Sequence, residues 1–331
     1  MLRQKRVTPV RPRICKPALQ TPMHEAARKF VAWTVGVGMS SETAKIRRAA
    51  LDRFAAWCDG QAVGSPAQLN HSHLEAYQRY LAAYRKADGN LIAATTRAAR
   101  MNPVLAFCRW LSRESLVEDD PGKRLVMPRQ VRRLPGRVPT VQEIDEILGE
   151  PDPQTPSGIR DRAVLETLYS TALRRMELAR LEMRDLNLSA LLVYVRAGKG
   201  ARDRVVPLSG RAAQWIHRYL GEVRPLLSSA AGERTLFLTD YGEPFEKNRL
   251  GDMVRRHVVN SDFPGRGACH LFRHSCATHM LENGADIRFI QEMLGHAQLS
   301  TTEIYTRVSI GKLKDVHRVT HPACATCAGS A

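Results

Sequence analysis

No run of apolar residues in this 331-residue sequence approaches the length of a membrane span, so no bilayer-crossing helix is expected. The basic N-terminus, MLRQKRVTPVRPRICK, is followed by no apolar segment of signal-peptide type, and the expected location is the cytoplasm. Acidic residues are in short supply: 33 Asp and Glu stand against 50 Lys and Arg, a formal charge of +17. A chain this basic usually meets a polyanion, and nucleic acid is the first candidate. A merely basic or ribosome-associated protein is the plainer alternative. Cysteine is sparse and odd in number, seven in all. Cys58, Cys108 and Cys276 fall inside helical patterns and read as reduced core residues, not a disulfide framework. Internal repeats and low-complexity tracts are missing. Apolar residues, by contrast, make up 44% of the chain. That is enough for packed cores and too much for disorder, and the length suggests two ordinary domains.

Residues 1–20 hold six basic side chains, no acidic ones and three prolines, and read as a basic flexible arm. Residues 21–120 read as a compact domain of about four helices. A shorter helix is expected near residues 22–35. Ser40 and Ser41 offer an N-cap to a stripe of Ile46, Ala50, Phe54 and Trp57. Asn70 can cap a helix with Leu74, Tyr77, Leu81 and Tyr84 on one face. A further pattern runs through Met101, Leu105, Cys108 and Leu111, where Pro103 predicts a kink or a later start. Residues 121–139 contain Lys123, Arg124, Arg129, Arg132, Arg133 and Arg137 with several Pro and Gly and no acidic residue. They read as a linker whose charge suits a path along phosphates; a solvated hinge is compatible with this.

Residues 140–331 form the second expected domain. Thr140 and Glu143 make a capping box ahead of Ile144, Ile147 and Leu148. Helices are expected over roughly 158–169 and again after Ala172. The period then changes: LLVYVRAGKGARDRVVPL reads as two β-branched strands joined at Gly198-Lys199-Gly200. Thr235–Thr239 reads as a third short strand, and the chain turns helical again from about Asn248. The fold class is therefore mainly α with a small antiparallel β-sheet.

The chemistry-bearing residues gather near the C-terminus. His270, Arg273 and His274 lie at helical spacing i, i+3 and i+4. Asn283-Gly284 stops that helix, and Asp286 can cap the next. Gly295 stops the second helix just before His296. Ser300 and Glu303 then cap a third that carries Tyr305. A helix-turn-helix fits part of this pattern. A plain helical core does not, because a core has no use for so many His and Arg beside apolar positions.

These residues resemble the tyrosine recombinase (phage integrase) family, closest in style to the Xer recombinases. The family's H-x-L-R-H stands here as His270-Leu271-Phe272-Arg273-His274. Its L-G-H…Y stands as Leu294-Gly295-His296 and Tyr305. Its first-arginine motif stands as Thr171-Ala172-Leu173-Arg174-Arg175-Met176-Glu177-Leu178. Its lysine hairpin stands as Gly198-Lys199-Gly200 followed by Arg204-Val205-Val206-Pro207-Leu208. Four motifs in the family's order are far more specific than any one. The helical domain resembles the family's SAM-like core-binding domain in size, position and its Glu118-Asp119-Asp120-Pro121 ending. Ala172 replaces a common glycine and Phe272 a common leucine; neither is a reacting group.

The resemblance implies strand transesterification on DNA without ATP. Tyr305 attacks phosphorus, the 5′ oxygen leaves, and a 3′-phosphotyrosine bond is kept until a second 5′-hydroxyl attacks it. Cations held in place lower the energy of a transition state that gathers negative charge, and Arg174 and Arg273 take that role. Tyrosine has an ordinary pKa near 10 and needs a proton acceptor; His270 is that acceptor by family position. His296 donates to a non-bridging oxygen, and Lys199 protonates the leaving oxygen. Glu177 supports Arg174. His274 and His279 read as structural. Lys123, Arg124, Arg129, Arg132 and Arg133 are expected DNA contacts, and the two domains are expected to clamp DNA from opposite sides. No metal or other cofactor is expected.

The tail after Tyr305 can form a short helix with Ile310, Leu313 and Val316 or His317 on one face. The resemblance implies that it docks on a neighbouring subunit; folding back on its own domain is the alternative. His321, Cys324 and Cys327 have ligand-like spacing but are few and lie in a Gly/Ala-rich end. The implied function is site-specific recombination by a homotetramer on two duplexes, through a Holliday junction, alone or with a sister recombinase. Integration, transposition and Xer-type resolution are not distinguished. A catalytically silent DNA-binding protein on the same fold is the alternative from another class, but it has no need for six intact site residues. A helix-turn-helix regulator has no place for Lys199 and Tyr305. Type IB topoisomerases share the chemistry but not the Xer-like order.

Overall fold

The computed structural model describes residues 21–127, 137–196, 203–227 and 233–295. They fall into two compact units, one within residues 21–127 and one within 137–295. The first unit is built on four helices, α1 (Pro22–Gly36), α2 (Ser41–Gly60), α3 (His71–Ala83) and α4 (Ala94–Arg113). Local side chains start two of them. Ser40 Oγ accepts from the Thr43 amide at 3.2 Å, and Asn70 Oδ1 accepts from the His73 amide at 3.1 Å. Each bond satisfies an amide that the first helical turn leaves without a partner. Phe30, Phe54, Tyr77 and Phe107 are fully buried between the helices, and burial of side chains this large stabilises by about 1.5–3 kcal/mol each.

Pro103 lies within α4 and does not set its start. Its ring is buried beside Val104 and Phe107, so packing of the apolar face offsets the missing amide bond. The basic stretch from Pro121 does not leave this unit at once. The His71 ring nitrogen Nδ1 lies 3.3 Å from the Pro121 carbonyl, Gln78 Nε2 donates to the Val126 carbonyl at 3.0 Å, and Leu125 and Met127 pack against the core. Residues 121–127, expected as linker, are therefore part of the helical unit.

In the second unit α5 (Val141–Gly149) opens with the expected capping box. Thr140 Oγ1 accepts from the Glu143 amide at 3.2 Å, and Glu143 Oε2 accepts from the Thr140 amide at 2.8 Å. Helix α6 (Pro156–Thr171) is the central element. Residues from Ile159 to Leu168 are buried on most of its circumference, as expected of a helix surrounded by others. It ends at Ala172, which adopts the left-handed conformation at φ 50°. The chain then enters the short α7 (Arg175–Ala179) and a three-stranded antiparallel sheet.

That sheet runs in the order β1 (Leu186–Asn187), β2 (Leu192–Val195) and β3 (Arg204–Pro207), with Val193 opposite Val206 and Val195 opposite Arg204. Val193, Val195 and Val206 face the core, while Tyr194 and Val205 face outward, the alternation that sets strand register. The third strand differs from expectation. Thr235–Thr239 makes only isolated bridges, Thr235 with Glu182 and Leu238 with Pro244. Leu236, Phe237 and Leu238 are all buried, so this run fills the core without an alternating face, and β1 completes the sheet instead.

The unit continues through α8 (Gly210–Arg218), a π-helical segment at Tyr219–Val223 and α9 (Arg224–Leu227). It then forms α10 (Lys247–Asn260), α11 (Cys269–Glu282) and α12 (Ile287–Leu294). Asp286 caps α12 through the Arg288 amide at 2.7 Å. Gly295 closes it at φ 61°, where glycine carries no Cβ penalty. The mainly helical fold with a small antiparallel sheet agrees with the sequence-based expectation. Among the described residues no helix is long and apolar enough to cross a membrane.

Candidate active site

Three segments distant in sequence meet at the C-terminal end of α12. Arg273 comes from α11, with its side chain almost wholly buried. Its Nη1 donates to the Ala172 carbonyl at 2.6 Å, and its Nη2 donates to the Leu294 carbonyl at 2.7 Å. Arg174 stands between the left-handed turn at Ala172 and α7, and its Nη2 donates to the Gly295 carbonyl at 3.1 Å. Thus the arginines of two separate motifs converge on consecutive carbonyls directly before His296 in the chain. A helix C-terminus carries partial negative charge, so it is a suitable anchor for cations that must stay fixed.

Glu177 holds Arg174 from the other side. Its Oε1 accepts from Arg174 Nη1 at 2.8 Å, and its Oε2 accepts from the Arg174 backbone amide at 2.9 Å. Burial opposes ionisation of Glu177, but hydrogen bonds and charge from Arg204 and Arg174 outweigh it and hold the carboxyl down at about 2. A carboxylate ionised that firmly is a permanent counter-charge near neutral pH.

His270 lies in the first turn of α11 on its exposed side. Its pKa is lowered from the ordinary value, first by partial desolvation and then by the charges of Arg273, Arg175 and Arg174. The neutral imidazole is therefore favoured, which is the form that can accept a proton. His274 is lowered too, by burial and then by the charges of His270 and Arg273. His279 is engaged structurally: its Nδ1 is 2.9 Å from the Tyr169 hydroxyl, and its Nε2 is 2.9 Å from the Pro139 carbonyl. A carbonyl can only accept, so Nε2 carries the proton and Tyr169 donates to Nδ1 in the neutral ring.

Among the sequence-predicted residues, Arg174, Glu177, His270 and Arg273 are brought into one region. Lys123 and Arg124 lie in the helical unit, where Lys123 forms an exposed ion pair with Asp119 at 3.8 Å. Lys199, His296, Tyr305, Arg129, Arg132 and Arg133 lie outside the described residues, as do the helix expected over Ile310–His317 and the trio His321, Cys324 and Cys327. Two participants were not singled out from sequence. Arg175 contributes to the field on His270, and Arg204 bonds to Glu177. The signal for Arg204 was present: it shares the inward face of β3 with the buried Val206.

The sequence profile of the Phage integrase family matches residues 137–311. The chain is 46% identical over 286 residues to "Tyrosine recombinase XerC 2" of Ralstonia nicotianae, covering 86% of this chain and 82% of that protein. It is 35% identical over 240 residues to "Tyrosine recombinase XerD" of Lacticaseibacillus casei, covering 72% and 81% respectively. Among solved structures, the crystal structure of XerA recombinase aligns with TM-score 0.51 and 25% identity over 91% of this chain and 99% of that one. The post-cleavage complex of XerH site-specific recombinase with palindromic difH substrate aligns with TM-score 0.65 and 18% identity over 89% of this chain and 84% of that one, a likeness of fold.

Proposed function

The chain belongs to the phage integrase family of tyrosine recombinases, and from that premise we propose how its residues divide the work of site-specific DNA cleavage and rejoining. Tyr305 is the nucleophile. Its oxygen forms a bond to the scissile phosphorus as the bond to the 5′ oxygen breaks, and Lys199 gives that oxygen its proton. His270 takes the proton of the Tyr305 hydroxyl. Arg174, Arg273 and His296 neutralise the non-bridging oxygens, and Glu177 holds Arg174 in place. Arginine suits the clamp because its planar fork binds two oxygens and stays charged. The phosphotyrosine bond conserves the energy of the broken ester, so rejoining to a second 5′-hydroxyl requires no ATP.

The observation that carries this assignment is the convergence of Arg174 and Arg273 on the Leu294 and Gly295 carbonyls. Two cations fixed next to the residue before His296 form a preorganised anion site, which acts most strongly where charge develops in a transition state. Lys123, Arg124, Arg129, Arg132 and Arg133 contact the phosphate backbone. The working assembly is a homotetramer on two duplexes, alone or with a sister recombinase. It exchanges one pair of strands, passes through a Holliday junction and exchanges the other, in the cytoplasm.

The test mixes wild-type protein or Tyr305→Phe with supercoiled DNA spanning the gene and its flanks, and resolves covalent protein–DNA adducts on denaturing gels. An adduct with wild type alone is the expected result, and its mapped position gives the cleavage site. An adduct that survives in Tyr305→Phe removes Tyr305 as the nucleophile.

A further inference from the structure

One buried cation next to this site has no part in the reaction as assigned above. Arg204 enters from β3 with its side chain 9% exposed, against Glu177 at 7%. Its Nη2 donates to Glu177 Oε2 at 2.7 Å and its Nη1 to Glu177 Oε1 at 3.1 Å. Its Nε donates to the Met293 carbonyl at 2.9 Å. A Cβ built on Gly295 would lie 3.1–3.3 Å from Arg204 Cδ, Nε and Nη1, so the guanidinium rests flat against the last residue before His296. One side chain thus touches the carboxylate that holds Arg174 and the helix end that receives both Arg174 and Arg273.

We propose that Arg204 is a positioning residue that ties Glu177, and through it Arg174, to the carbonyl end of α12, so that strand β3, the first-motif arginine and the entry to His296 move as one body. The proposal rests on the reading of Arg174 as part of the phosphate clamp. Its physical basis is the geometry of a planar fork. Arg204 meets both oxygens of Glu177 in parallel and still has Nε for Met293, which an ammonium group cannot do from one point. Without Arg204, Glu177 and Arg174 can swing together about the turn at Ala172, and the Met293 carbonyl loses a donor. Small displacements of a positioned cation are expensive in rate even when binding is kept. Glu177 would still have Arg174 as its counter-charge, so loss of Arg204 leaves no orphaned buried anion and the protein should fold.

The alternative is an ion pair that only stabilises the fold. Full-length wild type, Arg204→Gln and Arg204→Lys separate the two accounts. With DNA carrying the mapped cleavage site, binding should stay within about 3-fold of wild type while the single-turnover rate of adduct formation in Arg204→Gln falls roughly 30-fold or more. Arg204→Lys should recover part of that loss. The same rates are then read on DNA in which a methyl group replaces one non-bridging oxygen of the scissile phosphate. That substrate lacks the charge an aimed Arg174 neutralises, so the deficit of Arg204→Gln should shrink to within about 5-fold of wild type. An equal deficit on both substrates, or losses of binding and rate in step with a lowered melting temperature, overturns the proposal. Hydrogen exchange without DNA supplies an arm independent of catalysis: α7 and the end of α12 should open together in Arg204→Gln while α1 to α4 keep their protection. Unchanged exchange at both places overturns the tie itself. Absence of any adduct with wild type would instead count against the proposed function and leave that exchange result to decide the tie.

Discussion

At His270, the proton acceptor of the proposed function, partial burial and then neighbouring charge decide which form of the ring is present. A free imidazole titrates near 6.5, and here partial desolvation, Arg273, Arg175 and Arg174 all push it lower. The neutral ring, the form the proposed acceptor role needs, is therefore favoured at physiological pH, and it is lost only as pH falls below that ordinary value. The rate of adduct formation is expected to stay level from about pH 8 to about 6.5 and to fall at lower pH as the ring protonates. Arg175→Gln removes one of the three cations, so the midpoint of that fall should move upward. A midpoint that does not move would separate His270 from the acid limb. The same shift has a consequence for stability. The unfolded chain binds the proton more readily than the folded one, so His270 takes stability away as pH drops through about 6.5 toward its folded value.

At the scale of single elements, helix ends carry the site, and many of them are legible because their signals are local. Ser40, Asn70, Thr140 and Asp286 each bond an amide two or three residues ahead, and Gly295 closes α12 in the left-handed conformation. Ala172 ends α6 in the same conformation, which gives a physical reason for the glycine common at that family position. Non-local features were not legible in this way. The partners of Arg204 lie 27 and 89 positions away. Thr235–Thr239 has the composition of a strand but finds no continuous edge to pair with, and Pro103 is absorbed by packing that only the folded unit supplies. Gly295 is where local and distant demands coincide. Gly295→Ala meets a left-handed backbone costing about 1–2 kcal/mol and a tight contact with Arg204. It should lower the melting temperature by several degrees and slow adduct formation. Gly38 also has positive φ, but no atom lies within 4 Å of a built Cβ. Gly38→Ala should therefore cost stability through the backbone alone and leave the cleavage rate of the folded enzyme unchanged; an equal effect of both on that rate would show that the contact with Arg204 does not matter.

For the whole molecule the governing quantity is charge. The excess of basic residues, +17 overall, draws the protein to any DNA. This attraction is sequence-independent and weakens as salt rises, because each neutralised phosphate releases counterions. Recognition of a particular site adds to that attraction through base edges and DNA shape, which respond differently to salt. The basic side chains can therefore be divided by their salt response. Lys123 shares its charge with Asp119 in an exposed pair, and such pairs contribute little. Arg129 and Arg132 belong to the stretch 121–139, which contains no acidic residue, and the proposed function places both on the phosphate backbone. Arg129→Ala combined with Arg132→Ala should weaken binding to specific and random duplexes by similar factors. It should also flatten the plot of log affinity against log salt by about 2, given a slope of about 0.9 per phosphate contact. Equilibrium binding across a salt series reads both quantities. A slope equal to that of wild type would remove these two arginines from the phosphate-contacting surface. Weakened binding to the specific site alone would mean that they read bases or DNA shape instead of the backbone.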